Sequence, residues 1–381
     1  MCPPPRSASA PAVTAQSAGD FPVAALLDWY RANRRELPFR PTDGPGGRKA
    51  NPYHVLVSEA MAQQTQIATV VPYFERFVAA FPTVRDLADA DEQRVLTLWQ
   101  GLGYYRRARN LRAAARMVID DFAGKVPDSV EDLLKLPGVG RYTAGAIASI
   151  AYNRPAPIVD GNVARVFARY FLIEQAVDQP ATLKQLWQLA GDLVETSDSP
   201  RDFNQSVMEL GALVCTPKST KCLYCPLRDS CAAHAAGRVD ALPVKTPKKK
   251  PVAVTHTVLA IERRGKYLFE QRPADGLWAN MWQMPTIEDA PRDALAGPDL
   301  RGYIRDRFNL AVTAPTFISY FTHQTTHRTI RFEVHHCRVE TGRLTSNSGR
   351  WRTAKNLDDL PLAKPQLIAV SALGSGLHQC L

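Results

Sequence analysis

Two carboxylates and four cysteines are the residues of this chain whose types and settings suit chemistry. Glu59 stands in YHVLVSEAMAQQTQ, where the residues three and four positions away include Val55, Leu56, Ala62 and Gln63. At helical spacing that face is largely apolar. A carboxyl held there resists ionisation, and its raised pKa leaves it protonated near neutrality, ready to act as a general acid. The commoner fate of an isolated Glu is the helix edge, with its head in water. Asp160 stands in PAPIVDGNVARVFARY, where an apolar, proline-bounded approach meets the start of a helix, so its simplest role is an N-cap. Backbone N–H donors and the positive helix end would lower its pKa and keep it ionised. One carboxyl pushed up and one pushed down is the pairing that cleavage of a glycosyl bond uses, an acid for the leaving group and an anion beside the oxocarbenium-like sugar. The two lie 101 residues apart in the chain, so only the fold can bring them together.

Four of the seven cysteines fall in CTPKSTKCLYCPLRDSC, as Cys215, Cys222, Cys225 and Cys231 with spacing C-x6-C-x2-C-x5-C; Cys2, Cys337 and Cys380 are scattered. With no secretory h-region at the start of the chain, the expected compartment is reducing, and a metal centre is favoured over disulfides. Zinc sites commonly pair their ligands closely on both sides of a long insert, whereas this window has a single x2 pair between wider gaps. Four thiolates also suit an iron–sulfur cluster. Spacing leans modestly to the cluster and leaves zinc open. The simplest role for either is to staple the loop that follows the helix FNQSVMELGALVC.

The elements that must position these groups are helical. PVAALLDWYRANRR, YHVLVSEAMAQQTQIATVVPYFERFVAAF and RVLTLWQGLGYYRRARNLRAAARMVI carry helical periodicity, which predicts an all-α half that runs through the cysteine loop. Between a helix at about SVEDLLKL and one at about RYTAGAIASIAY, the stretch LPGVGRYTAG predicts a tight hairpin. Pro137 stops the first helix, and Gly138 and Gly140 supply a permissive backbone. The N–H groups that open the second helix suit a phosphate and read no sequence. LPGVG alone balances that role evenly against a turn with no ligand.

Net charge is +10, and its distribution is uneven: Lys and Arg outnumber Asp and Glu by 25 to 23 in residues 21–233, by 5 to 1 in 234–252 and by 16 to 12 in 253–381. The excess is densest in AAGRVDALPVKTPKKKP, a basic, proline-punctuated linker over 235–251. Its sign is compatible with a polyanion. Residues 1–20, rich in Pro, Ala and Ser, are expected to be disordered. From 252 the texture turns to strand-like runs such as VAVTHTVLAIERRGKYLFEQRP, predicting an α+β domain over 252–381. No segment reaches the roughly 18 apolar residues of a membrane span.

Taken together, VSEAMAQQTQIATVVPYFERF, GLGYYRRARNL, LPGVGRYTAGAIAS, PIVDGNVARV, FNQSVMELGALVC and the four-cysteine loop resemble the adenine DNA glycosylases, members of the helix-hairpin-helix DNA glycosylase family. The resemblance runs from about Leu37 to Cys231. It implies a helical domain over 21–234 with a cluster loop at 215–231, followed by a Nudix-like domain. It also implies hydrolytic removal of a flipped-out adenine mispaired with 8-oxoguanine or guanine in double-stranded DNA. On that resemblance Glu59 matches the general acid that protonates adenine at N7. Asp160 matches the carboxylate that stabilises the sugar cation, and Asn162 a residue that orients water or carboxylates. Arg35 and Gln205 match adenine contacts, Gln63, Gln64 and Tyr104 duplex contacts, and the four cysteines the ligands of a [4Fe–4S] cluster. Arg106, Arg107 and Arg109 suit phosphates.

The C-terminal half departs from its relatives in two ways. The glutamate-rich helix of Nudix hydrolases is missing, the segment reading EDAPRDALAGPDLRGYIRDRF, so pyrophosphate hydrolysis is not expected. The lesion-reading loop, commonly Phe-Ser-His, is Thr325, Thr326 and His327. Thr326 can replace the serine hydroxyl, but Thr325 brings no ring.

Tyr142 falls where bifunctional, endonuclease III-like relatives carry a Schiff-base lysine. A phenol cannot form that imine, so the implied enzyme removes the base and stops, with Tyr142 hydrogen-bonding Asp160 or the sugar edge. The competing readings are a glycosylase/lyase and a DNA-binding or redox module without catalysis. The expected protein is a monomer of the bacterial cytoplasm, with nucleus or organelle as alternatives and no membrane.

Overall fold

A computed structural model describes residues 18–41, 50–247, 250–288, 299–344 and 349–375. The segment expected to be disordered lies outside the described residues up to position 17, as do residues 248 and 249 of the basic linker. In chain order the first helices are α1 (Val23–Asn33), α2 (Pro52–Ala62), α3 (Ile67–Ala80), α4 (Val84–Asp89), α5 (Glu92–Trp99), α6 (Arg106–Asp121) and α7 (Val130–Leu133). They are followed by α8 (Arg141–Ala146), α9 (Gly161–Tyr170), α10 (Pro180–Glu195), α11 (Pro200–Leu213) and α12 (Ala232–Ala235). The second half adds β1 (Val252–Arg263), β2 (Lys266–Gln271), β3 (Trp282–Gln283), β4 (Thr286–Ile287), α13 (Leu300–Phe308), β5 (Leu310–Val312), β6 (Thr316–Gln324), β7 (Arg328–Gly342), β8 (Gly349–Arg352) and α14 (Lys364–Ser375). None of the described helices is long and apolar enough to cross a membrane. Contacts group the chain into two units, Met1–Ala60 with Asp120–Pro247 and Met61–Ile119 with Lys248–Leu381.

The first unit is helical and built around aromatic side chains. Tyr30 of α1, Phe167 and Tyr170 of α9 and Phe203 of α11 are buried. Phe21 packs edge-on against Tyr170, with ring centroids 4.7 Å apart, the geometry that aromatic quadrupoles favour. The helix starts follow local chemistry: α10 and α11 place Pro180 and Pro200 in the first turn, and Ser199 caps α11. The predicted hairpin is present. Gly138 takes φ +79°, the left-handed conformation that the turn needs, and α8 then passes into a π-helical turn over Ile147–Ala151. One close approach sets α9 against α11. A Cβ at Gly211 would lie 2.7 Å from Asn162 Cβ and 3.2 Å from its Cα.

In the second unit a mixed sheet has strand order β3-β2-β1-β7-β5, with β1 parallel to β7, while β6, β4 and β8 pair β7, β1 and β2. Alternate residues of each strand enter opposite cores. Val258, Ala260, Phe269 and Phe332 pack with Leu362 and with Ala369 of α14. Leu259, Ile261 and Leu268 pack with Ile304 and Phe308 of α13. The α+β expectation therefore holds. In α13, where a Nudix enzyme would carry glutamates, Arg307 instead ion-pairs at 2.7 Å with the buried Glu270 of β2. Side chains of 61–119 join this domain directly. Glu92 accepts from Asn280 Nδ2 at 2.6 Å, Gln93 Oε1 from Trp282 Nε1 at 3.0 Å, and Gln100 Oε1 from the Leu362 N–H at 3.0 Å.

The α9–α11 contact leaves no space for a methyl group, because the neighbours of Gly211 include backbone that cannot swing away. Gly211→Ala is expected to cost about 1–3 kcal/mol. It should lower the thermal midpoint followed by circular dichroism; an unchanged midpoint would show that the helices can separate freely.

Candidate active site

The fold brings Glu59, Tyr142 and Asp160 together in the first unit. Glu59 is near the end of α2, and its Oε2 is buried with no hydrogen-bond partner among the described residues. Burial pushes its carboxyl up to about 7, opposed by a hydrogen bond from the Tyr142 phenol and reinforced by the charge of Asp160. The apolar-face reading of Glu59 thus matches its setting. Tyr142, in the first turn of α8, also reaches Met208 Sδ at 3.4 Å, and its single proton can serve only one acceptor at a time. Burial and the two carboxylates hold that phenol well above its ordinary pKa. No hydrogen bond joins it to Asp160, one of the two partners expected for it, although the charge of Asp160 acts on the phenol.

Asp160 caps α9 as predicted. Its Oδ1 accepts from the N–H of Asn162 at 2.9 Å and of Val163 at 2.7 Å, and its Oδ2 accepts from Asn162 Nδ2 at 2.8 Å. The expected lowering of its pKa is corrected by the structure. Burial raises it, by more than these donors and the nearby Arg165 charge pull it down. The cap reading counted the donors and missed the depth of the site. Both carboxyls are thus raised, and the expected opposition of one up and one down is not found; Asp160 has three donors favouring its anion where Glu59 has one. The charge of an ionised Asp160 raises Glu59 further.

Asn162 is itself fixed from behind. Arg165, one turn further along α9 and buried, donates to Asn162 Oδ1 at 2.8 Å, to the Gly211 carbonyl at 2.8 Å and, through Nε, to the Cys215 carbonyl at 2.7 Å. Arg169, a turn beyond, donates to Cys215 Sγ at 3.3 Å and to the Thr216 carbonyl at 2.8 Å. Helix α9 therefore carries the capping carboxylate at one end and holds the cysteine loop with two arginines. Cys215, Cys222, Cys225 and Cys231 line one small cavity with Arg169, Arg228 and His234. Burial pushes the Cys225 thiol up to about 12, with the other three cysteines adding to it. Four such thiols can ionise together only against added positive charge, so the donor set fits a thiolate-bound metal group. Among the described residues no three or more His, Cys, Asp or Glu side chains are already gathered as a site for one metal ion.

A second charged group was not singled out in the sequence. Glu209 of α11 is buried and accepts from Arg35 Nε at 2.8 Å, Arg35 Nη2 at 3.0 Å, the Arg35 N–H at 2.9 Å and Arg40 Nη2 at 2.9 Å. Burial alone would raise its pKa, but the two arginines hold it down to about 2. Arg35 stays 36% exposed while Glu209 and Arg40 are buried, so this pair presents a fixed donor edge. Gln205 lies one turn before Glu209, buried, and its amide donates to the Arg201 carbonyl of its own helix at 3.4 Å. A signal did exist in ELPFR and MELGALVC, but a lone helical Glu ordinarily points to water.

In the second unit Gln63, Gln64, Tyr104, Thr325, Thr326 and His327 line one cavity of about 680 Å³. Gln64 and Tyr104 take φ +57° and +48°, conformations that cost non-glycine residues energy and cluster at functional sites. Tyr104 is half exposed, and its hydroxyl stands 3.5 Å from that of Thr326. Arg107 is a brace here rather than the phosphate contact the sequence suggested. It donates to the carbonyls of Met61 at 2.9 Å and Gly103 at 3.2 Å and to that of Gln63, and its guanidinium lies 5.3 Å from the Tyr104 ring.

Residues 57–191 match the model of the HhH-GPD superfamily base excision DNA repair proteins, and residues 256–372 that of the NUDIX domain. The chain is 31% identical to an adenine DNA glycosylase of Buchnera aphidicola subsp. Schizaphis graminum (strain Sg), covering 89% of this chain and 95% of the relative. It is 38% identical to that of Arabidopsis thaliana, covering 69% of this chain and 46% of the relative, and 37% identical to that of Homo sapiens, covering 71% and 58%. The match thus spans about half the length of the plant and human proteins. A solved thermostable thymine-DNA glycosylase aligns with a TM-score of 0.50 at 30% identity, covering 56% of this chain and 95% of its own.

The pKa of Glu59 carries a stability consequence. Unfolded, the carboxyl ionises near 4.5; folded, it holds its proton to about 7. Between those values the unfolded state loses its proton first, so stability falls as pH rises and levels off above 7. The gap corresponds to up to about 3 kcal/mol. Glu59→Gln, which cannot ionise, should be more stable than the wild type at pH 8 and should lose most of that advantage by pH 4.5. Parallel denaturation curves with no pH-dependent gap would contradict the buried carboxyl.

Proposed function

From a chain that belongs to the adenine DNA glycosylase family, we propose an enzyme that hydrolyses the N-glycosidic bond of adenine mispaired with 8-oxoguanine or guanine in double-stranded DNA. The observation that carries the reading is the pair of partly buried carboxyls, Glu59 with a buried Oε2 and Asp160 held by Asn162 and the start of α9, on either side of Tyr142. The protonated Glu59 donates to adenine N7 as the C1′–N9 bond breaks, so the base leaves neutral with the bonding electrons. Asp160, held by Asn162 and α9, faces the positive charge that grows on the sugar. Water adds its oxygen to C1′, and its released proton restores a carboxyl. The fixed Arg35–Glu209 pair orients the base with Arg40, and Gln205 supports the same helix face.

Cys215, Cys222, Cys225 and Cys231 are the residues that would hold a [4Fe–4S] cluster. Bound there, it supplies the positive charge that four buried thiolates need and a cross-link for the loop that Arg165 and Arg169 grip. For the hairpin, support comes from Gly140. Its φ is −96° and a Cβ there would meet nothing within 4 Å. Neither backbone strain nor packing within the chain calls for glycine, whereas a closely approaching phosphate does. Gly138 shapes the turn. The cavity with Gln63, Gln64, Tyr104, Thr325, Thr326 and His327 takes the strand opposite the excised base, Thr326 offering a hydroxyl to its edge.

A phenol at position 142 makes the reaction monofunctional. Incubated with duplexes carrying A opposite 8-oxoguanine, G or T, the protein should leave abasic sites in the first two that break only on alkali treatment. Strand breaks without alkali, with a borohydride-trapped complex, would favour the lyase reading. Tight binding with no base release from any duplex would favour a non-catalytic module.

A further inference from the structure

The cavity of the second unit contains an aromatic surface to which no motif assigns a task. Thr325, where the family commonly has phenylalanine, is committed to the β6–β7 turn. Its N–H and hydroxyl donate to the Arg328 carbonyl at 2.8 and 3.1 Å, and its hydroxyl accepts from the Arg328 N–H at 3.0 Å. No ring is present there. The cavity is lined, however, by Trp278 on the loop between β2 and β3.

That loop is held in an unusual shape. Trp278 and Asn280 take φ +55° and +61°, conformations that persist only where surroundings impose them. The carbonyl of Ala279 accepts from Arg109 Nη1 at 2.9 Å, that of Leu277 from Arg272 Nε at 2.9 Å and that of Trp278 from the Met281 N–H at 3.1 Å. The half-buried indole is backed by rings. It lies 5.9 Å from His323 and 6.1 Å from Phe332, and Phe332 stacks on Phe321 at 5.1 Å and 10°. The indole, braced by tilted rings, thereby lines a cavity shared with Tyr104 and Thr326.

We propose that Trp278 is the stacking surface for the base opposite the excised adenine and favours a purine there over a pyrimidine. A purine offers the larger π-face, while the Thr326 hydroxyl, 3.5 Å from that of Tyr104, can test its hydrogen-bonding edge. This rests on the proposed reading of the cavity.

The test measures affinity for duplexes containing non-cleavable 2′-fluoro-deoxyadenosine opposite 8-oxoguanine or opposite cytosine. Trp278→Phe and Trp278→Leu both shorten the side chain and bear comparable strain at the positive φ of position 278, so they differ chiefly in the ring. Trp278→Leu should lose roughly five- to a hundredfold in affinity for the purine-opposed duplex, the range that stacking supports, and little for the other. Trp278→Phe should stay near wild type, and Thr325→Phe added to Trp278→Leu should recover part of the loss. Wild-type protein that prefers the purine, with equal affinities for the Leu and Phe variants, would overturn the role of Trp278 alone. Wild-type protein indifferent to the opposite base would overturn the reading of the cavity, and this inference with it.

Discussion

The burial of Glu59 Oε2 is the constraint on which the site depends. A carboxyl near the end of a helix ordinarily ionises in solvent; here burial leaves one oxygen without a partner among the described residues and lifts the pKa to about 7. An unsatisfied buried oxygen opposes folding. The chain retains it at a place where Asp160 adds electrostatic strain of the same sign, as expected where a group is kept poised for proton transfer.

What holds the second carboxyl is a relay along one helix. Asp160 is fixed by Asn162, Asn162 by Arg165, and Arg165 by carbonyls of α11 and of the cysteine loop. Gly211 lets α11 approach closely enough for this geometry to close. The loop after α11 therefore bears on the position of Asp160 through hydrogen bonds within one unit, without touching the reacting groups.

Much of this was legible in the sequence, and the exceptions have physical causes. The apolar neighbours of Glu59 foretold its raised pKa, and the residues around Asp160 foretold its cap. The direction of the Asp160 shift was not legible, since a cap motif reveals donors but not depth. Glu209 was missed because its two arginines come from a segment some 170 residues away. The α+β texture after residue 252 was plain, but the grouping of 61–119 with that domain rests on side chains such as Glu92, Gln93 and Gln100 that look like ordinary helix surface. Thr325 looked like a loss of aromatic contact; the structure adds that its hydroxyl closes the turn and that Trp278 lines the same cavity.

The central claim is that a protonated Glu59 delivers the proton on which base departure depends. It is tested most directly by the single-turnover rate of adenine release from an A:8-oxoguanine duplex as a function of pH. The rate should fall about tenfold per unit as pH rises beyond about 7, where Glu59 loses its proton, and fall again at lower pH once Asp160 is protonated. A rate that stays constant from pH 6 to roughly 9 would contradict the account.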